Sequence, residues 1–455
     1  MRLFLLVAAV VLVCACSGRC DDSAAPPGYA CDLADSPRRP EGAPRYSDVS
    51  MRLFVKRDGK ELAAAKAFHI TRADWSYINE PAYIEHCHDL GWTFQGSTNA
   101  VTHNPAHALK DASGRPVLDH FGKEGRYWAD CNNAAYRDWY VEQLKAWVAA
   151  GVDSIQRDEP TAIRHWDYDD AAAFFRDVHA RLREAVGRRV PVSCNLAWNE
   201  HRRFGGRGSA ITSQFDFGMS ELGRKDVSPV FFTEAAADTR RRGKFIVYTT
   251  FNALDVPTYR RAIAGCYANG MLFIVPWDQY AGTRADRVFS RPEDLADLYG
   301  FVRANAAFLD GYEAVPTAGG EASGAALVDV PKGAGIAAWV RAKLKDRSAA
   351  VVVHLVDWDA PAPASPSAPD SASAPVRVRL NGRRLFGGRP LAVALRTPIP
   401  YEAEAHARAE SEKRYGALSA ERALRAVVEQ GWTAVDVPPL TPWGMLVVRP
   451  EASAP

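Results

Sequence analysis

The sequence is poor in the features that mark common metal and cofactor enzymes. Its eight cysteines include no Cys-x-x-Cys pair, so a structural zinc site has no ligand spacing to rest on. It contains no glycine-rich phosphate loop, no Gly-x-Ser-x-Gly elbow and no His-Glu-x-x-His helix. Those absences remove the sequence signatures of nucleotide cradles, serine-hydrolase elbows and zinc peptidases. An excess of one charge is missing too. Against 56 Lys and Arg stand 54 Asp and Glu, for a net charge of +2, and nothing in that balance points to nucleic acid as a partner. Long apolar runs are confined to Leu3 to Val13, shorter than the ~20 residues that span a bilayer. No metal and no cofactor is expected.

The short apolar run has a meaning of its own. Met1-Arg2 supplies a weakly positive start, and the run after it has the length of a signal-peptide core. It ends in Val13-Cys14-Ala15-Cys16-Ser17. A small residue and then Cys after an apolar stretch resembles a bacterial lipobox, with Cys16 as the lipidated residue. The plain alternative is an ordinary signal peptide cut after Ala15. Either reading predicts export, to the cell envelope as a lipoprotein of the periplasm or outer membrane, or into the medium. Membrane attachment is then expected only through the lipid. Cys20 and Cys31 lie close enough in sequence to pair in the tether that follows. Cys87, Cys131, Cys194 and Cys266 are scattered and read as small buried hydrophobes, with one disulfide among them as the alternative.

Composition divides the chain. Residues 1–16 are the signal region. Residues 17–60, rich in Pro, Asp, Ser and Arg, read as a tether and lead-in. From 61 to 312 apolar β-like runs alternate with amphipathic stretches, and from 313 to 455 β-like runs dominate around a Pro/Ala/Ser-rich loop at 360–375. The candidate strands of the middle region are Ala67–Thr71, Thr93–Gly96, Arg126–Asp130, Ser154–Asp158, Pro191–Asn195, Phe215–Glu221, Phe245–Thr250 and Leu272–Asp278. Tyr136, Tyr140, Leu144 and Val148 recur at helical spacing between Asn133 and Gly151, as do Phe174, Val178, Leu182 and Val186. Strands alternating with helices imply a parallel sheet, and eight such units imply a closed (β/α)8 TIM barrel. The last part predicts a smaller antiparallel β-sandwich that supports the barrel.

Barrel enzymes carry their chemistry at the C-terminal ends of the strands. Those ends hold Trp75, Asp130, Asp158 and Glu159, Asn195 and Trp198, Glu221, and Trp277 and Asp278. Acids, amides and tryptophans suit a sugar pocket. Carboxylates supply acid, base or nucleophile, amides bond hydroxyls, and indole faces stack on rings. The plain alternatives are a helix cap for Asp130, a salt bridge to Arg284 or Arg287 for Asp278, and ordinary packing for Trp75, Trp198 and Trp277. The sharpest motif is Gly151-Val-Asp-Ser154-Ile-Gln-Arg-Asp158-Glu159-Pro160. Strand alternation puts Ser154, Gln156 and Asp158 on one side and Ile155 and Arg157 on the other, so Asp158 is expected to face the lumen. Glu221 shares the parity of the apolar residues before it, and faces outward unless Gly218 kinks the strand.

The stretch from Asp130 through Pro160, with Val275-Pro-Trp277-Asp278-Gln-Tyr280, resembles bacterial glycoside hydrolases built from a barrel and a β-domain. Two groupings imply different roles. In α-galactosidase-like barrels an Asp nucleophile ends the fourth strand, which matches Asp158. Their acid is an Asp near strand six, where this chain has Glu221. In β-glycosidase-like barrels Asn-Glu-Pro ends strand four with the Glu as acid, which Asp158-Glu159-Pro160 resembles. Their nucleophile is a Glu on strand seven, and Val247 to Asn252 contains none. The expected activity is hydrolysis of an oligo- or polysaccharide by Asp158 and Glu221, with Glu159 as the rival acid. Glycosyl transfer by the same carboxylates, and glycan binding without cleavage, are the alternatives.

Overall fold

The computed structural model describes residues 43–52, 59–162, 165–195, 208–250, 254–276, 291–315, 327–343, 346, 348–360 and 374–451. Cys16, Trp198, Trp277, Asp278 and most of the 360–375 loop lie outside the described residues.

Eight parallel strands follow one another around a barrel in chain order. They are β1 (Ser50–Arg52), β2 (Arg72–Ser76), β3 (Thr93–Thr98), β4 (Ser154–Arg157), β5 (Val192–Asn195), β6 (Phe217–Leu222), β7 (Ile246–Thr250) and β8 (Leu272–Phe273). A parallel bridge from Met51 to Val275 joins the last strand to the first, and closure leaves no unpaired sheet edge. The helices between them are α1 (Gly59–Ala67), α2 (Pro81–Asp89), α3 (Ala134–Ala149), α4 (Tyr168–Val186), α5 (Gly208–Thr212), α6 (Pro229–Arg242), α7 (Val256–Ala268) and α8 (Pro292–Ala304).

Local chemistry explains the helices that the sequence predicts. Asn133 caps α3 by accepting from the Tyr136 amide, and Tyr136, Tyr140 and Leu144 are buried along one face. Gly187, at φ +70°, ends α4 in the left-handed conformation that glycine adopts without strain. Pro292 opens α8, with Glu293 and Asp294 in the first turn.

Two strand expectations fail. Ala67–Thr71 is the end of α1 and a turn, because Ala64, Ala65 and Phe68 complete a buried helix face and His69, at φ +57°, stops the helix. The second barrel strand starts at Arg72 instead. Arg126–Asp130 is no barrel strand either. Tyr127–Trp128 runs back antiparallel to Val101–Thr102, forming a hairpin within a long excursion between β3 and α3. The missing strand is β1, which lies within the stretch read as lead-in. It is three residues long, too short to show an alternation. The errors offset each other, and Ser154–Arg157 is still the fourth strand.

The C-terminal region is antiparallel. Strands 313–315, 336–342, 351–357, 443–450, 391–398 and 419–424 form one sheet, in that order, and 328–329, 376–380, 432–437 and 427–429 form the other. Val340, Val353, Leu355, Val378, Leu380, Val435 and Leu446 share its core. The region is welded to the barrel. Trp443 packs edge-on against Phe301 of α8 at 4.9 Å, and the buried Arg341 guanidinium donates to the carbonyls of Tyr267, Leu309 and Tyr312. The four cysteines of the barrel are buried, as small core residues.

Candidate functional site

The barrel lumen is chemically lopsided. On the β1–β5 side it is filled by polar side chains hydrogen-bonded to one another. Arg72 donates to both Asp74 oxygens at 3.0 and 3.1 Å, Ser50 donates to Asp74 at 2.6 Å, Gln95 donates to Ser193 at 3.2 Å, and Ser97 donates to Gln156. On the β6–β8 side the register continues the lumen face as Phe217 and Met219, Val247 and Leu272. Directly paired residues in parallel strands share a face. Ser193 pairs with Phe217 and Asn195 with Met219, so Glu221, two residues on, belongs to the lumen face near its upper end. The outward parity expected for Glu221 is therefore corrected, and without a kink, since β6 keeps an unbroken register with β7. The mistake lay in assuming that apolar residues face the helices, when here they fill half of the lumen.

Asp158 follows β4 with the parity expected. Ser154 and Gln156 below it bond lumen residues, while Arg157 turns outward among the rings of Tyr140, Trp166 and Phe175. The Asp158 carboxylate is held on both oxygens. The Tyr77 hydroxyl donates to Oδ2 at 2.8 Å, and Asn195 Nδ2 and the Glu159 amide donate to Oδ1 at 3.0 and 3.1 Å. Burial and the Asp158 charge raise the Tyr77 hydroxyl well above its ordinary pKa, so it remains a proton donor to the carboxylate at neutral pH.

Tyr77 reaches this position through a bulge. Ala73 pairs with Phe94 but Ser76 with Gly96, so β2 spends one extra residue. Trp75 sits in it at φ +54°. Regular alternation from the inward Asp74 would turn Tyr77 outward, and the extra residue turns it in. Trp75 does not offer the open face expected of a stacking platform. It is 2% exposed, and the Arg52 guanidinium covers its ring at 3.6 Å.

Glu159 is the second acid at the mouth. In a regular strand it would face away from Asp158. Its φ of +51°, a left-handed conformation that a non-glycine residue adopts only under strain, breaks that alternation. The carboxyl is half-buried beneath the β3–α3 excursion, 3.4 Å from His120 Nδ1. Burial, and next the Asp158 charge, raise its pKa to about 8, against the opposing pull of Arg157. Asp130 is not brought to the strand ends. Its carboxylate accepts from the Asn132 amide at 2.9 Å in the turn before α3, three residues ahead of the actual cap, Asn133. Sequence reading missed Tyr77 and His120. The first depends on a bulge and the second on how a long excursion folds back, and neither leaves a local pattern. Among the described residues, no cluster of three His, Cys, Asp or Glu is placed to hold a metal.

An eight-stranded parallel barrel with an acidic mouth and an antiparallel β-region is thus the architecture in hand. The chain matches no protein-family model and no curated protein sequence. Solved structures share the fold. An α-amylase from H. orenii aligns over 89% of this chain and 99% of its own, at TM-score 0.53 and 10% identity. CldA, a cyclomaltodextrin glucanotransferase with a three-domain ABC distribution, aligns over 90% and 100%, at 0.52 and 10%. The debranching enzyme of Nostoc punctiforme aligns over 90% and 99%, at 0.52 and 9%.

Proposed function

We propose that this chain is a glycoside hydrolase that cleaves an oligo- or polysaccharide at the C-terminal mouth of its barrel. The observation that carries the reading is the pairing of Asp158, braced by Tyr77 and Asn195, with Glu159, a carboxyl that keeps its proton to about pH 8. Glycoside cleavage ordinarily needs one carboxylate and one carboxylic acid with unlike proton affinities. The fold-sharing amylase, glucanotransferase and debranching enzyme act in the same chemical area. In our reading Asp158 attacks the anomeric carbon while Glu159 gives its proton to the departing oxygen. Water then cleaves the glycosyl ester, losing a proton to the Glu159 carboxylate. Glu221, on the lumen face, is the second candidate for the acid, and Asn195 also holds substrate hydroxyls once the ring enters.

A slow fluorosugar inactivator tests the assignment. Mass spectrometry should find the sugar on the peptide that carries Asp158. Labelling elsewhere overturns that role, and glycan binding with no turnover of any glycoside would make the chain a binding protein. We further propose that the protein is exported and lipid-anchored through Cys16. Membrane-associated protein in a bacterial host should become soluble in Cys16→Ser, and unchanged fractionation would reject the anchor.

A further inference from the structure

The excursion that covers Glu159 carries an aromatic ring out into solvent and holds it there. Phe121 is 58% exposed. Its amide donates to Asp119 Oδ1 at 3.0 Å, and the buried Asp119 is tied to Arg126 at 2.7 Å. Gly122, at φ +62°, completes the turn, with its amide bonded to the Asp119 carbonyl at 3.0 Å. The His120 ring packs against Phe121 with centroids 4.0 Å apart. His120 in turn rests 5.6 Å from the buried Trp128 ring, so the pair stands on a rigid base. The Arg126 guanidinium lies over the ring at 5.2 Å, yet unlike the buried Trp75 the ring keeps most of its surface open to solvent, and a pre-organised exposed aromatic is what a ligand surface requires.

Position tells which ligand. His120 is the neighbour of the Glu159 carboxyl, so Phe121 stands one side chain away from the acid of the proposed reaction. An acid that protonates the departing oxygen lies on the leaving-group side of the bond. A pyranose presents an apolar C–H face and a rim of hydroxyls, which suits an aromatic face with a polar neighbour. We infer that Phe121 and His120 form the subsite for the sugar on the leaving-group side, with Phe121 stacked on its ring and His120 bonded to a hydroxyl. The inference rests on the reading of Glu159 as the acid. It makes the substrate a chain that extends past the cleaved bond, not a single sugar on a small aglycone.

Glycosyl fluorides separate this claim from the activity itself, because fluoride leaves without occupying that subsite. The full-length protein would be screened with linear oligosaccharides of glucose, galactose and hexosamine and with the matching glycosyl fluorides. Phe121→Ala should weaken binding of the preferred oligosaccharide by about tenfold, measured calorimetrically in an Asp158→Asn background. It should leave turnover of the fluoride unchanged, and Phe121→Tyr should restore oligosaccharide affinity. Unchanged oligosaccharide affinity in Phe121→Ala overturns the subsite and leaves the hydrolase reading standing. Equal losses on both substrates mean a structural role and overturn it too. If the wild type neither binds any of these oligosaccharides nor turns over any fluoride, the hydrolase reading falls and the subsite with it.

Discussion

Two clusters of titratable side chains sit at opposite ends of the barrel, and they are built on opposite principles. At the mouth are Asp158, Glu159, His120 and Tyr77. At the other end, before β2, His69 is sandwiched between the barrel and the C-terminal helix Ala403–Glu412. Its Nε2 lies 2.8 Å from His406 Nδ1 and its Nδ1 lies 3.1 Å from Glu410 Oε2. Each cluster contains a non-glycine residue at positive φ, Glu159 at +51° and His69 at +57°, and each contains a partly buried glutamate. The glutamates respond in opposite ways. Burial pushes Glu410 upward, but His69, Lys413 and Tyr415 together bring it below its ordinary pKa. Burial pushes Glu159 upward, the Asp158 charge adds to the push, and Arg157 does not offset them, so its pKa reaches about 8. A compensated cluster behaves as a staple between domains, whereas an uncompensated one keeps an acid poised for proton transfer.

The largest expected effect breaks the mouth. Asp158→Asn preserves shape and removes the charge that Tyr77 and Asn195 hold. Turnover should fall by about four to six orders of magnitude, measured on the best substrate, with the melting temperature little changed. A drop of less than about tenfold would move the nucleophile elsewhere. Glu159→Gln comes next, with a loss of roughly 10²–10⁴ on substrates whose leaving group needs a proton and much less on activated ones. If Glu221→Gln shows that split and Glu159→Gln does not, the acid is Glu221.

The pH dependence of stability sharpens the same contrast, because the two ends carry opposite signs. The folded pKa of Glu159 is raised, to about 8 from 4.5. Its contribution to stability is therefore full below about 4.5 and is lost as pH rises to 8. Glu159→Gln should flatten the decline of melting temperature across that window. Activity that depends on the protonated acid should fall above about pH 8, and a wild-type rate that instead climbs steadily through pH 9 would exclude Glu159 as donor.

How much of this was legible depends on the range of the interaction involved. The inward parity of Asp158 comes from alternation over a few residues, and the polar Ser154 and Gln156 opposite Ile155 suffice to show it, whereas the count of eight came out right only because the false strand at Arg126–Asp130 stood in for the missed Ser50–Arg52. Glu221 was misread because Phe217 and Met219 obey the same alternation in a lumen whose far side is apolar. Strand parity is local, but which face is the lumen is decided by the neighbouring strands. Ser50–Arg52 has no pattern of its own and exists as a strand only because β2 and Val275 bond to it. Tyr77 depends on a one-residue bulge, and His120 on an excursion that returns to the mouth far from its sequence neighbours. The His69–His406–Glu410 staple joins residues more than 330 positions apart.

That staple yields the smallest effect and the cleanest control. Glu410→Gln removes the acceptor of His69 Nδ1 as a charge while keeping an amide in its place. The loss should be about 1–3 kcal/mol, the range for weakening a buried hydrogen-bonded pair, and turnover per folded molecule should not change. The pH sign follows from both members. Glu410 is depressed in the folded state, so its contribution disappears as pH falls through its folded pKa. His406 is lowered to about 4 by burial and then by His69. A histidine held neutral in the fold and free to protonate at 6.5 when unfolded also destabilises the fold as pH drops from 6.5 towards 4. Tyr415, which faces the cluster, is raised to about 12 by burial and then by Glu410 and stays neutral in that window. Acidification from pH 6.5 towards 4 should therefore weaken the wild type at this end through His406, and Glu410→Gln should remove only the further loss below about 4.5, whereas Glu159→Gln should alter the slope between about 4.5 and 8. Unfolding measured across pH in the two variants decides the matter: a common slope in both would show that the two clusters do not differ in kind.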